Sequence, residues 1–291
     1  MTQTTDAPID LSWYPLSDAE IRQFDDEGYL IVRKVLDPPT IDRLTEVGDR
    51  LMASDRRENR QVSHSDLYDS FRNCVSIDDA FIPLLTNEKI LSVVVQLLGA
   101  YIQLMTSHLI YKHPDPPGTP NTARLPGWHH DYGRAKKVLG NGVPRILLKC
   151  AYYLTDLSKP NSGATLVAPG SNQLVEAIKI LEGQTDPLGF IEPGLQPGDC
   201  FLFENRTWHA GAANLSPHTR KAVMIGYGYR WVMPMDYRTQ SEALLKKLNP
   251  LGRYLVGEPF QETPEFHPDD GDSPLAPWCE QHGAPAVRPT C

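Results

Sequence analysis

Two histidines and one carboxylate stand at spacings that suit a metal site. His129 and Asp131 are two residues apart, and His209 follows about eighty residues later, directly after Trp208. Two imidazoles and one carboxylate can cover one face of an iron(II) ion and leave the opposite coordination positions open. On an extended segment, side chains two residues apart point to the same side, so His130 should point away from such a metal. The pattern predicts a mononuclear iron centre that activates oxygen.

Arg220 adds a candidate binding group for a cosubstrate. It lies eleven residues after His209, which itself follows Gly198-Asp199 and a short apolar run. A guanidinium fork binds a carboxylate through two parallel hydrogen bonds, so Arg220 suits a carboxylate-bearing cosubstrate. A His-x-Asp pair alone is weak evidence, because motifs this short often match by chance. The order of Gly198-Asp199, His209 and Arg220 along the chain strengthens the prediction of an iron centre.

Composition narrows the class of protein. The chain has 291 residues, 41% of them hydrophobic and 22% charged, which is typical of a globular protein. Its formal charge of -8 argues against a nucleic-acid partner, which would require clustered Lys and Arg. No apolar run approaches the roughly 20 residues of a membrane span, and the start is polar and acidic, so we expect a cytoplasmic protein. Five cysteines without a CxxC pair indicate free thiols.

Helix signals fill the first hundred residues. Ser17 and Glu20 form a capping-box pattern that predicts a helix through about Asp26. Asp37 is the predicted N-cap of a second helix, whose apolar residues continue at helical spacing to Leu51. The remaining assignments are a short strand over residues 28–33, a solvated loop or lid over 54–70, and a helix over 83–98.

Strand signals dominate from residue 101 onward. Short strands separated by turn residues are typical of a sandwiched or closed β structure. The predicted strands cover residues 101–111, 146–154, 164–167, 200–203 and 222–232. Helices are predicted at 173–181 and 237–248, and the Pro-rich tail after residue 257 is predicted to have no core of its own.

Four segments together resemble the phytanoyl-CoA dioxygenase (PhyH) family of iron(II)/2-oxoglutarate oxygenases. The resemblance spans about residues 16 to 232, and its motifs are specific in combination. The segments are 16–32, Tyr111-Lys-His-Pro114 with Trp128-His-His-Asp131, Asn161 to Ser171, and Gly198-Asp199 through His209-Ala-Gly211 to Arg220.

The resemblance implies a mainly β fold with flanking helices, namely a double-stranded β-helix (jelly-roll, cupin-like) barrel. It implies a single domain over residues 1–291, with a helical N-terminal support at 16–100, a jelly-roll core at 101–232, and a C-terminal helix and irregular tail at 233–291. Carried over residue by residue, His129, Asp131 and His209 become the iron ligands, and Arg220 pairs with the distal carboxylate of 2-oxoglutarate. Iron(II) would be the cofactor, and 2-oxoglutarate and O2 the cosubstrates.

Two positions refine the comparison with the family. Asn172 stands where the middle motif of the family usually has a histidine, which bears on local hydrogen bonding or substrate rather than on iron. Asp131 is intact, whereas related halogenases carry a small residue there that leaves room for chloride. The resemblance therefore argues against halogenation.

Further candidate contacts flank the motifs. Aromatic residues there also suit a barrel core, and the polar residues also suit an exposed surface. The candidates are Trp128, Tyr132, Arg72 and His64 for the substrate pocket, and Lys112 and Tyr111 for the cosubstrate.

The expected reaction is oxidation of an unactivated C–H bond of a small molecule, by hydroxylation in specialised metabolism. No basic cluster supports a CoA thioester as substrate, and the sequence does not indicate an oligomeric state. Two alternatives stay open: a metal-dependent hydrolase on the same His/Asp/His residues, and a barrel that binds a ligand without catalysis.

Overall fold

The computed structural model describes residues 9, 11–54, 61–64, 67–133, 138, 143–258 and 273–289, with the backbone alone for 61–64. Within these residues the helices are α1 (Asp18–Glu27), α2 (Pro38–Ala53), α3 (Ile82–Leu85), α4 (Glu88–Leu98), α5 (Glu242–Leu245), α6 (Pro250–Leu255) and α7 (Leu275–Gln281). The strands are β1 (Tyr29–Val32), β2 (Gln61–His64), β3 (Tyr68–Arg72), β4 (Ile102–Lys112), β5 (Leu147–Tyr153), β6 (Thr165–Val167), β7 (Cys200–Glu204), β8 (His209–Gly211) and β9 (Arg220–Tyr229).

The strands form two sheets of unequal size. The larger sheet has the order β1-β7-β5-β9-β4-β3-β2 with antiparallel neighbours, and the smaller sheet pairs β6 with β8. Side chains of the larger sheet such as Tyr153, Phe201 and Phe203 pack against Ala164 and Val167 of the smaller sheet. We call this the inner face of the larger sheet, and successive residues of each strand alternate between it and the outer face.

The outer face of the larger sheet carries the main core. Leu148, Cys150 and Leu202 pack there with the apolar residues of α4, which is buried along its whole length after Glu88 and Lys89. The side chain of Asn87 accepts a hydrogen bond from the N–H of Ile90 and begins this helix. The predicted helix over residues 83–98 is therefore divided into α3 and α4.

The predicted class, mainly β with flanking helices in a double-stranded β-helix arrangement, is confirmed. Among the described residues, no ladder of hydrogen bonds joins the two sheets into one continuous barrel. The predicted helix at Ser17 and the five predicted strands are present, with bounds that differ by up to three residues.

Three local predictions were wrong. The segment over residues 54–70, expected to be a loop or lid, contributes β2 and the first part of β3, which pair with each other. The predicted helix over 173–181 is replaced by a single 3-10 turn at Ser171–Gln173, because its apolar residues, such as Leu174 and Val175, are exposed and pack against no core. The predicted helix over 237–248 shrinks to α5, which begins at the Ser241 cap.

The tail contributes a short helix to the main core. Leu275, Trp278 and Cys279 of α7 are buried in the main cluster, and the Trp278 ring packs edge-on against Trp13 at a centroid distance of 4.9 Å. The sequence pattern missed this helix because it is short and buries three residues against partners far along the chain.

No single helix among the described residues is long and apolar enough to cross a membrane. The bent pair formed by residues 79–85 and 88–98 reaches that length and composition as a unit. Cys74, Cys150, Cys200 and Cys279 are buried free thiols, as predicted.

Candidate metal centre

Backbone pairing places two histidines side by side. The N–H of His129 donates to the carbonyl of His209 at 3.0 Å, and the N–H of His209 donates to the carbonyl of His129 at 2.8 Å. The same pairing continues to Gly211, where an added Cβ would lie 2.1 Å from the carbonyl oxygen of Leu125. Only glycine permits this close approach, so the segment before His129 can lie directly against β8.

Asp131 completes a compact group of ligand atoms. One ligand atom each from His129, Asp131 and His209 lies within 4.8 Å of the other two. His130 lies outside this group and packs against Trp208, with ring centroids 5.0 Å apart. The structure therefore brings together the three residues that the sequence singled out as ligands.

The backbone fixes the orientation of both imidazoles. Nδ1 of His129 is 2.8 Å from the carbonyl oxygen of Gly127, and Nδ1 of His209 is 2.9 Å from that of Thr207. Because a carbonyl oxygen only accepts, each Nδ1 must carry the hydrogen, and Nε2 keeps its lone pair for a metal. This arrangement is common in histidines that bind a metal through Nε2.

Charge states at neutral pH also suit a metal. Burial lowers the pKa of His209 to about 3, so its ring is neutral. Burial alone would raise the pKa of Asp131, but the adjacent ammonium of Lys149 lowers it, to about 2, so Asp131 is a carboxylate. Two imidazoles with Nε2 facing the site and a carboxylate fit a divalent cation such as iron(II).

Arg220 lies on the inner face at the start of β9 and is 7% exposed. Its Nε donates to the carbonyl of Gly163 at 3.0 Å, and among the described residues no hydrogen bond involves its Nη1 or Nη2. Gly163 has a φ of +80°, and an added Cβ would lie 3.4 Å from the Cβ of Arg220 and from the Cδ of Lys112. The guanidinium is thus fixed through Nε, and its Nη1 and Nη2 are available to donate to a carboxylate.

Lys112 and Tyr111, both predicted as possible cosubstrate contacts, lie on opposite faces. Lys112 pairs directly with Arg220 across β4 and β9, and its side chain is buried beside that of Arg220. Burial lowers the pKa of Lys112 to about 8. Tyr111 points to the outer face, where its hydroxyl donates to Asp49 at 2.8 Å. Strand alternation therefore removes Tyr111 from the candidate contacts and leaves Lys112.

The two aromatic candidates beside the metal motif have different surroundings. Nε1 of Trp128 donates to Asp186 at 2.9 Å, and its ring packs against Phe190, so Trp128 supports the outer side of the smaller sheet. Tyr132 has a φ of +56°, an unusual conformation for a bulky residue. Its buried hydroxyl has no hydrogen-bond partner among the described residues, and burial raises its pKa to about 12. Backbone strain of this kind concentrates at functional sites.

A partly open cavity lies beside Asp131. Loop residues after β6 and β7 supply most of its wall, and neither Trp128 nor Tyr132 is part of it. The lining residues are His130, Asp131, Val143, Asn172, Gln173, Leu174, Val175, Asn205, Arg206 and Trp208.

Asn172, the departure from the family motif, joins this wall to α1. Its Nδ2 donates to the carbonyl of Asp25 and to the carboxylate of Glu204, and its buried Oδ1 has no partner in the described part of the chain. Asn172 therefore has a structural role in addition to its position at the cavity.

The two remaining pocket candidates lie on neighbouring strands. Arg72 lies on the inner face, donates to the hydroxyl of Thr106 at 3.0 Å and lies 3.5 Å from Asp236. The backbone of His64 belongs to β2, but its side chain lies outside the described part of the structure.

Lys149, which the sequence offered only as an alternative anchor for 2-oxoglutarate, lies beside the ligand set. Its Nζ donates to Oδ1 of Asp131 at 2.9 Å and lies 2.8 Å from Oδ2, although the angle at Oδ2 is poor for a hydrogen bond. Lys149 lies two residues before Ala151 and four before Tyr153 on β5, so its side chain shares their inner face. This alternation is the sequence signal that could have identified it.

A double-stranded β-helix fold that joins two imidazoles, a carboxylate and a buried arginine defines a class of metal-dependent oxygenases. The sequence model of the phytanoyl-CoA dioxygenase (PhyH) family matches residues 24–222. The chain belongs to this family, whose cofactor is iron(II) and whose cosubstrates are 2-oxoglutarate and O2.

Relatives and solved structures agree with this fold. The uncharacterized proteins Mb1539 of Mycobacterium bovis and Rv1501 of Mycobacterium tuberculosis are each 26% identical over 204 residues, covering 67% of this chain and 69% of theirs. The α-ketoglutarate-dependent epimerase SnoN from nogalamycin biosynthesis is 20% identical, with a TM-score of 0.57, over 73% of this chain and 82% of its own. The carbocyclase SnoK from the same biosynthesis is 18% identical, with a TM-score of 0.56, over 81% and 92%.

Proposed function

We propose that this protein is an iron(II)/2-oxoglutarate-dependent dioxygenase that hydroxylates an unactivated C–H bond of a small molecule, in specialised metabolism, with release of succinate and CO2. One observation carries the proposal. Three ligand atoms lie within 4.8 Å of one another, and both histidines donate their Nδ1 hydrogen to backbone carbonyls. That combination presents Nε2, Nε2 and a carboxylate oxygen to a single cation.

His129, Asp131 and His209 would hold iron(II), and Arg220, with Lys112 beside it, would bind the distal carboxylate of 2-oxoglutarate. When bound, iron(II) with 2-oxoglutarate and O2 supplies an oxidant that can break a C–H bond. The protein keeps His209 neutral, holds Asp131 as a carboxylate and limits water in the interior through the aromatic side chains of the inner face.

The reaction outcome is the finer part of the proposal. SnoN and SnoK, which share the fold, are named as an epimerase and a carbocyclase. Proteins of this shape are therefore named for more than one reaction outcome, and the mass of the product decides among them for this chain. A gain of one oxygen supports hydroxylation, whereas an unchanged mass indicates epimerisation, and a loss of two hydrogens indicates ring closure or desaturation.

Succinate release tests the class of reaction. Purified protein supplied with iron(II), 2-oxoglutarate and air should form succinate, and formation should stop without oxygen or with His209→Ala. Substrate candidates should raise the rate above this uncoupled level. A zinc-supported, oxygen-independent cleavage of any candidate would instead support the hydrolase alternative, and specific ligand binding without turnover would support the non-catalytic one.

A further inference from the structure

Lys149 has more hydrogen-bond donors than the described residues use. Its ammonium has three N–H donors, its side chain is 11% exposed, and its one hydrogen-bond partner among the described residues is Asp131. The ring of Phe203, 5.9 Å away, covers another side of the ammonium. A buried ammonium is stable only when its charge and donors are matched, so the remaining donors are available to an acceptor on the inner face beside Asp131.

The cosubstrate is not that acceptor, because Lys149 lies far from Arg220 along the sheet. Lys149 pairs with Gly226 on β9, six residues after Arg220. At about 3.3 Å per residue, the two backbone positions are roughly 20 Å apart along the strand. Lys149 contacts the ligand set through Asp131. It therefore lies on the side of the ligand set that is remote from Arg220.

Two further polar atoms on this inner face have no hydrogen-bond partner among the described residues. They are Nε2 of His108 and the hydroxyl of Ser70, and both are buried, in residues that are 7% and 1% exposed. His108 pairs with Arg72 across β3 and β4, and Ser70 lies two residues before Arg72. Burial, with the positive charges of Arg72, Lys149 and Arg220, lowers the pKa of His108 well below its ordinary value. The neutral ring can therefore donate a hydrogen bond from Nε2.

Charge identifies the acceptor as anionic. Arg72 has Asp236 as its counter-ion, and Arg220 is reserved for the cosubstrate. Once a divalent cation binds, the single negative charge of Asp131 is shared between that cation and Lys149. The cation, Lys149 and Asp131 together carry a charge of 2+, and the carboxylate of 2-oxoglutarate that Arg220 does not bind balances one of these charges. A singly charged anionic group would balance the other.

We propose that the substrate of this enzyme carries a carboxylate and that Lys149, together with His108, binds this group beside the metal. The proposal rests on the proposed function and names the chemical class of its substrate. It makes Lys149 a specificity-determining residue that shares a hydrogen bond with a metal ligand.

Matched acids and amides test the proposal without turnover. Native protein, saturated anaerobically with iron(II) and 2-oxoglutarate, is titrated calorimetrically with phenylacetate and phenylacetamide, and with hexanoate and hexanamide. Loss of one hydrogen bond to a buried charge corresponds to about a tenfold or greater change in affinity, so each acid should bind at least about ten times more tightly than its amide. Lys149→Met should reduce this preference to within about twofold.

Two control variants keep the result interpretable. Lys149→Arg retains the charge and should keep most of the preference for acids, and Lys246→Met removes an exposed lysine and should keep all of it. The visible absorption band of the iron–2-oxoglutarate complex and the thermal unfolding temperature establish that each variant is folded and loaded. If the band forms but the native protein binds no acid more tightly than its amide, or if Lys149→Met keeps the preference, the proposal is overturned. Failure of the band to form in the native protein contradicts the proposed function instead.

Discussion

Replacing Arg220 with alanine should weaken the binding of 2-oxoglutarate much more than the binding of metal. Arg220 is 7% exposed, and among the described residues its Nη1 and Nη2 make no hydrogen bond, so a bound carboxylate would be their main partner. Truncating one side of a buried, hydrogen-bonded charge pair costs about 2–5 kcal/mol. At about 1.4 kcal/mol per tenfold change, the dissociation constant of 2-oxoglutarate should rise roughly thirty- to several-thousand-fold.

Anaerobic calorimetry of 2-oxoglutarate binding to the metal-loaded protein measures this change directly. Cobalt(II) affinity serves as the control and should change little, because Arg220 is outside the ligand set. Arg220→Lys keeps the charge but loses the fork and the bond to Gly163, so its affinity should fall between those of the native protein and the alanine variant. A dissociation constant within about threefold of the native value in Arg220→Ala would refute the assignment and make Lys112 the next candidate.

Three other predictions concern the ligand set. Each of the variants His129→Ala, Asp131→Ala and His209→Ala should lose 2-oxoglutarate-dependent succinate release and keep a native-like circular dichroism spectrum. His130→Ala should keep metal binding. Full activity in one of the first three variants would remove that residue from the ligand set. Product mass spectrometry after turnover in chloride-rich buffer should show no chlorine isotope pattern, because Asp131 fills the position that a halide would need; a chlorinated product would contradict its role as ligand. Burial lowers the pKa of His209 to about 3, against 6.5 for an unperturbed histidine, so the unfolded chain binds a proton that the folded chain does not. The contribution of His209 to the free energy of unfolding of the metal-free protein should therefore be fully present above about pH 6.5 and fall by roughly 1.4 kcal/mol per pH unit as the pH falls toward 3. Urea unfolding at several pH values measures this dependence. A His209→Phe variant whose free energy of unfolding falls with pH as steeply as that of the native protein would contradict the prediction.

Local sequence signals predicted the elements whose causes are local. The Ser17 capping box is present with both of its hydrogen bonds, and β5, β7 and β9 lie close to their predicted spans. Strand alternation placed His129 and Asp131 together and His130 apart, as the structure has them. These features depend on residues within a few positions of one another, which is why the sequence indicates them directly.

Features that depend on distant partners could not be predicted in the same way. The pairing of β2 with β3 lies in a polar stretch without alternation, and α7 is stabilised by contacts with Trp13 at the other end of the chain. The hydrogen bond of Trp128 to Asp186 joins residues 58 positions apart. By contrast, once the face of one residue in each strand is known, alternation alone assigns Tyr111 and Lys112 to opposite faces. In the same way it assigns Lys149 to the inner face.

The site is divided between elements of different rigidity. The cations that face the metal region, Lys112, Lys149 and Arg220, lie on β4, β5 and β9, which are adjacent strands in the centre of the larger sheet. The cavity beside Asp131 is lined instead by loop residues, Asn172 to Val175 and Asn205 to Trp208 among them. Strands held on both sides keep charges at fixed positions, whereas loops tolerate changes of length and sequence. Recognition of the cosubstrate and of an anionic group should therefore resist substitution in the loops, and the remaining shape of the substrate should be determined by them.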